Sequence, residues 1–206
     1  YWPADLHVIG KGISRFHAIY WPAFLMSANL NLPKSLFIHG YFTVNGQKMS
    51  KTLGNVIDPN TIISKYGADA LRYYFLAKFA PFTDGDFSED KLKDVYNADL
   101  ANGLGNLVSR VAKLCEKSEF LFKSKETKLY PEVVQAVEEF RFDNALKFIW
   151  GKISNIDQII NKDEPWKLQG KDLQKALQEY LYEIAEIALN LKPFLPETTN
   201  KIAKVF

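Results

Sequence analysis

The chain has 206 residues, 47% of them hydrophobic, which is enough for one large domain or two small ones with a buried core. Lys and Arg exceed Asp and Glu by 26 to 24, so any surface for a polyanion must be local rather than global. A single cysteine, Cys115, excludes an internal disulfide framework or cysteine zinc cluster within these residues and fits a reducing, cytoplasmic setting. No apolar run approaches a membrane span, and nothing at the start is patterned as a signal peptide. The chain opens Tyr1-Trp2-Pro3 without an initiator methionine, which reads as the middle of something longer.

The first ninety residues read as α/β. Asp5 to Gly10 is a short β-type run closed by glycine, and a helical pattern follows from about Ile13 to Ala28. Ser35 to Val44 is rich in aromatic and β-branched residues and reads as a second strand, so strand, helix and strand suggest a βαβ unit with parallel pairing. Val44-Asn45-Gly46-Gln47 is a polar turn leading into K-M-S-K-T at 48–52 and L-G-N at 53–55. Asp58 is an N-cap and Pro59 a first helical residue; Gly67 ends that helix, and Ala68 to Lys78 forms the next.

From about Ser88 the strand signals stop. Apolar residues at three- and four-residue spacing predict helices over roughly 89–118, 131–140, 142–162, 171–192 and 197–204, with Pro131, Pro165, Pro193 and Pro196 as punctuation. Helices of this length with short links imply an antiparallel bundle. Charge does not mark the boundary: residues 1–90 carry 8 basic and 7 acidic groups, residues 91–206 carry 18 and 17.

Lys48 and Lys51, three apart on a loop after a strand, can bring two ammonium groups to one polyphosphate, with Ser50 and backbone amides as further donors. Solvated surface lysines are the alternative. Position favours the first reading, because L-G-N and a proline-started helix follow directly.

The stretch H-G-Y-F-T-V-N-G-Q-K-M-S-K-T-L-G-N-V-I-D-P at 39–59 resembles the signature-loop region of class I aminoacyl-tRNA synthetases, and within them the methionyl family. Three further stretches carry the resemblance: G-K-G-I-S-R-F-H-A-I-Y-W-P-A at 10–23, Y-G-A-D-A-L-R-Y-Y at 66–74 and N-A-D-L-A-N-G-L-G-N-L-V-S-R at 97–110. It thins to P-W at 165–166 and K-P-F-L-P at 192–196. Thr52 departs from the usual serine and keeps the hydroxyl.

The resemblance implies the C-terminal half of a Rossmann-type catalytic domain over 1–57, a connecting helical segment over 58–95, and an α-helical anticodon-binding bundle over 96–206. It implies a methionine–tRNA ligase that uses ATP with Mg2+, L-methionine and tRNA(Met). Any zinc site would lie in the N-terminal half that these residues do not include. Lys51 would stabilise charge growing on the phosphates, assisted by Lys48. ATP would lie against His39, Gly10, Ser50 and the backbone of 41–44. Ile13, Phe16, His17 and Tyr20 would line the methionine side chain; without the resemblance that stripe reads as plain core. Asn106 and Arg110, on one helix face, and Trp166 would read the anticodon; otherwise they read as a surface pair and a core tryptophan. Arg72 reads as structural, Cys115 as a core residue, and the lysines of 113–128 as a solvated face.

One departure stands out. Where the family has an aspartate in its G-K-D pattern, expected near the adenosine ribose, this chain has Gly12. A 206-residue portion is expected not to activate methionine alone. The competing reading is a non-catalytic tRNA-binding module in which Gly12 marks decay of the ATP site.

Overall fold

A computed structural model describes residues 2–118, 120–123 and 125–206. Tyr1, which opens the chain, and Glu119 and Ser124, inside the lysine-rich stretch 113–128, lie outside the described residues. The chain forms two compact units. The first comprises the residues up to Val56 together with Phe79–Ser88, and the second comprises Ile57–Lys78 together with Glu89–Phe206.

In the first unit β1 (Leu6–Gly10) and β2 (Ser35–His39) pair in parallel, with Leu6 opposite Ser35 and Gly10 opposite His39. The connection between them is helical from Lys11 to Ser27: a 3-10 turn at Lys11–Ile13, a π-helical stretch at Phe16–Tyr20, then α1 (Trp21–Ser27). The widened turn has a local cause. Pro22 has no N–H to give the carbonyl of Ala18, so the turn ahead of it opens.

The strand expected over 35–44 is two strands. β2 ends at His39, and β3 (Phe42–Val44) belongs to another sheet, ordered β4-β3-β5, in which β4 (Gln47–Lys48) is antiparallel and β5 (Gly85–Phe87) parallel to it. The break falls at Gly40, whose N–H donates to the Pro81 carbonyl at 3.2 Å, and where a Cβ would overlap the backbone of Thr83. Asn45 and Gly46, at φ 51° and 75°, form the two-residue turn between β3 and β4, a type I′ geometry that Asn-Gly favours. Asp86 clasps this hairpin, accepting from Thr43 Oγ1 and from the Gly46 N–H, each at 2.6 Å.

The second unit is helical. α2 (Pro59–Tyr66) starts as expected: the Asp58 side chain accepts from the Asn60 N–H at 2.9 Å and Pro59 is the first helical residue. Gly67 separates it from α3 (Ala68–Lys78). One helical run then extends from Glu89 to Ser118, as α4 (Glu89–Val95), a π-helical stretch at Tyr96–Gly105, and α5 (Asn106–Ser118). α6 (Pro131–Glu138), α7 (Phe142–Asp163), a 3-10 turn at Pro165–Lys167, α8 (Gly170–Leu191) and α9 (Pro196–Val205) complete it.

The core is built at helical spacing. α7 contributes Leu146, Ile149, Ile153, Ile156 and Ile160, and α8 contributes Leu177, Ile184, Ile187 and Leu191, all buried against Leu107, Val111 and Leu195. Each such side chain contributes about 1.5–3 kcal/mol on burial. α3 joins this core through Tyr73, whose ring stacks on Trp150 at 4.3 Å and whose hydroxyl donates to Asp99 at 2.7 Å. Asn190, fully buried, ties down the residues just before α6: Oδ1 accepts the Tyr130 N–H at 2.8 Å and Nδ2 donates to the Lys128 carbonyl at 3.0 Å. Cys115 is half-buried against the core, and burial pushes its thiol up to about 11.

α3 also holds the corner between α8 and α9. Arg72 Nε donates to the Phe194 carbonyl at 2.8 Å and its terminal nitrogen to the Pro193 carbonyl at 2.9 Å. Three residues earlier, buried Asp69 accepts the Thr198 N–H at 2.6 Å, capping α9. A cation at the carboxyl end of α8 and a carboxylate at the amino end of α9 both oppose the local helix dipole favourably.

Candidate functional site

Lys48, expected on the loop, is the last residue of β4, paired opposite Thr43, and the loop that follows carries Ser50 and Lys51. Asn55 shapes it: its Oδ1 accepts the Ser50 N–H at 2.8 Å and its Nδ2 donates to the Lys48 carbonyl at 3.1 Å, so one side chain closes the loop from both ends. Ser50 Oγ accepts the Thr52 N–H at 3.2 Å. Both lysines are exposed, and among the described residues neither forms an ion pair. Two ammonium groups are thus displayed on a fixed backbone, without internal carboxylates to neutralise them. Asn55 was not among the expected site residues, although its place in L-G-N beside the lysines was the available sign.

Gly10 and His39 lie opposite one another at the carboxyl ends of β1 and β2, where ligands of open parallel sheets bind. His39 Nδ1 is 2.8 Å from the Gly40 carbonyl; since a carbonyl only accepts, Nδ1 carries the proton there and Nε2 faces away from that bond. The imidazole edge approaches Gly10: a Cβ there would meet Cε1 at 3.5 Å and Nε2 at 3.7 Å. This edge also holds the side chains of Lys11, Tyr41 and Asp84, of which the sequence reading had named only the Tyr41 backbone. Lys11 Nζ pairs with Asp84 at 2.6 Å.

Ile13, Phe16, His17 and Tyr20 follow on the helix after β1. Ile13, Phe16 and Tyr20 are exposed, and His17 is half-buried with Nδ1 at 3.1 Å from the Ile13 carbonyl. The Phe16 and His17 rings meet edge to face at 5.2 Å, and His17 meets His7 at 6.1 Å. Trp2 extends this aromatic group toward His7 and Trp21. Rings of this kind, half-open to solvent, suit a polarisable apolar group such as a thioether.

In the second unit Arg110 and Trp166 come together. The guanidinium stands 5.5 Å from the indole ring while donating to Asn161 at 2.7 Å and Asp157 at 3.3 Å, both on α7. Trp166 is 55% exposed, which rules out a purely core role. Its turn is set by Pro165, buried, and by Glu164 in the left-handed region at φ 46°. Asn106, one turn before Arg110, is exposed at the start of α5. An open indole face beside an arginine is a platform on which an unstacked base can lie.

Among the described residues no group of three or more His, Cys, Asp and Glu side chains is placed to hold a metal ion, and no helix is long and apolar enough to cross a membrane.

The family model described as tRNA synthetases class I (M) matches residues 1–112. The chain belongs to the methionyl-tRNA synthetase family. A methionine–tRNA ligase from a Synechocystis species is 41% identical to this synthetase-family chain over 221 residues, covering 98% of it and 42% of the relative. One from Thermotoga maritima is 39% identical over 225 residues, covering 98% and 35%. Among solved structures, the Mycobacterium tuberculosis methionyl-tRNA synthetase bound by methionyl-adenylate superimposes with a TM-score of 0.87 at 33% identity, covering 98% of this chain and 44% of that one. The chain spans about two fifths of the length of the curated relatives it matches.

Proposed function

We propose that this chain forms part of a methionine–tRNA ligase, with ATP, L-methionine and tRNA(Met) as substrates and Mg2+ entering with the ATP. The observation that carries the reading is the loop clasped by Asn55, which displays Lys48 and Lys51 without neutralising partners. Family membership and the likeness to a synthetase bound by methionyl-adenylate support it.

In the first step the methionine carboxylate attacks the α-phosphorus; a P–O bond forms, the α–β bridging bond breaks, and its electron pair leaves with pyrophosphate. Charge therefore grows on the leaving phosphates, where Lys51, assisted by Lys48, stabilises it. Ser50 stands beside the phosphates, and His39 and Gly10 bound the nucleoside. Ile13, Phe16, His17 and Tyr20 form a wall for the methionine side chain. In the second step a hydroxyl of the tRNA 3′-terminal adenosine attacks the aminoacyl carbonyl and AMP leaves. Residues 1–57 act as the C-terminal half of a Rossmann-type catalytic domain, 58–95 as a connecting segment and 96–206 as the anticodon-binding bundle. There Trp166 stacks on an unpaired base, with Arg110 and Asn106 at its edge. The enzyme works in the cytoplasm.

The test is methionine-dependent ATP–pyrophosphate exchange by a polypeptide of the family's full length that carries these residues. Exchange that requires methionine and falls in Lys51→Ala supports the reading; exchange with another amino acid only, or none, overturns it.

A further inference from the structure

Three side chains at the carboxyl edge of β1 and β2 serve no role assigned above. Gly12, in the first turn after β1, carries no side chain, and a Cβ built on it would overlap the Tyr41 hydroxyl. The phenol therefore fills the room that a side chain at position 12 would need. It is held from two sides. The Tyr41 N–H donates to Asp84 Oδ1 at 2.8 Å, and Lys11 Nζ, bound to the same carboxylate, lies 4.7 Å from the ring centroid. The Lys11 ammonium, then the Tyr41 amide, hold the Asp84 carboxyl below the usual carboxylate range. Among the described residues the Tyr41 hydroxyl itself makes no hydrogen bond.

A ring fixed by backbone and cation, with its hydroxyl unused, stands beside Gly10 and His39 at the edge where the nucleoside is proposed to lie. The charge nearby narrows the ligand. Lys11 is already neutralised by Asp84, so the pair offers a phosphate no net positive charge, whereas a neutral hydroxyl needs none. A phenol both donates and accepts, which matches a sugar hydroxyl.

We propose that Tyr41 is a positioning residue for ATP: its hydroxyl, seated over Gly12, hydrogen-bonds a ribose hydroxyl of the nucleotide. The inference rests on the methionine-activation reading. It makes Gly12 and Tyr41 a coupled pair, in which the missing side chain at one position is what admits the phenol of the other. Gly12 is then part of a working ATP site rather than a mark of its decay.

Tyr41→Phe removes the hydroxyl and keeps the ring and its anchors. In the full-length enzyme, pyrophosphate exchange is measured with ATP, 2′-deoxy-ATP and 3′-deoxy-ATP. Tyr41→Phe is expected to raise KM for ATP about 5–10-fold, to leave KM for methionine unchanged, and to abolish the preference for ATP over one deoxy analogue. Gly12→Ala, which displaces the phenol, is expected to reproduce this, and the double variant to be no worse than either single one. A wild-type preference for ATP over both analogues in Tyr41→Phe, or additive losses in the double variant, overturns the proposal.

Equilibrium binding of the three nucleotides to the same proteins separates the two readings. A Tyr41-dependent ribose preference without methionine-dependent exchange supports Tyr41 and overturns the activation reading. Normal exchange with an unchanged ribose preference in Tyr41→Phe overturns Tyr41 alone. Absence of ATP binding overturns both.

Discussion

Asn55 does more for the lysine loop than either lysine does. Its amide oxygen and nitrogen both bond the backbone, at residues 50 and 48, so the loop's shape depends on one uncharged side chain. Lys51→Ala should lower pyrophosphate exchange by about 10²–10³-fold, the usual cost of losing a donor to developing charge. Asn55→Ala should cost about 10-fold. Undiminished exchange in Asn55→Ala would show that the clasp is not what matters. Trp166→Ala should weaken binding of tRNA(Met) by about 1–3 kcal/mol, read by filter binding, with little loss against a transcript of altered anticodon. The Cys115 thiol gives a pH prediction. Raised to about 11 by burial, it stays protonated at neutral pH. Its alkylation at pH 8 should be about a hundredfold slower than that of an ordinary cysteine and should climb steadily as pH rises towards that value.

The helices were legible because their ends are written locally: Asp58-Pro59, Pro131 and Pro196 start α2, α6 and α9, and Gly67 closes α2. The strand break at Gly40 had only the glycine itself as a sign, because it is imposed by Pro81, Thr83 and Asp84, some forty residues downstream. β5 was missed for a related reason: three residues, Gly85-Asp86-Phe87, carry no periodicity. The π-helical stretch at Tyr96–Gly105 hid inside a pattern that reads as one regular helix. Gly103 and Gly105 permit the wider turn, and a Cβ on Gly105 would come within 3.1 Å of the Leu100 carbonyl. Motif residues were visible singly; Tyr41 over Gly12, and Arg110 beside Trp166, exist only once distant segments meet. Among elements, α3 has the most to lose. Arg72→Lys cannot reproduce the two-pronged grip on the Pro193 and Phe194 carbonyls and should cost about 1–2 kcal/mol, seen as a lower urea midpoint.

At the scale of the molecule, the near-balance of 26 basic and 24 acidic residues limits how an RNA can be held. Binding that depends on an indole and a few polar side chains should show a shallow salt dependence, with the slope of log K against log salt corresponding to only a few released ions. A steep slope would indicate a phosphate track that the charge distribution does not suggest. The division into units gives a second test. Residues 57–78 belong with 89–206, so a 57–206 polypeptide should melt cooperatively, whereas one starting at residue 89 lacks Tyr73, Asp69 and Arg72 and should melt at least about 10 °C lower by circular dichroism.

The grip of α3 on the α8–α9 corner also bears on how such chains can be recombined. Arg72 and Asp69 address two carbonyls and one amide, never a side chain. A hybrid joined after Ser88 would place one parent's α3 against the other parent's α8 and α9. Main-chain groups are the same in every parent, so the corner should close whatever residues the second parent brings to positions 193, 194 and 198, provided the backbone path and proline spacing are kept. The joint between helices that must fit is thereby written in the part of the polymer that mutation does not alter.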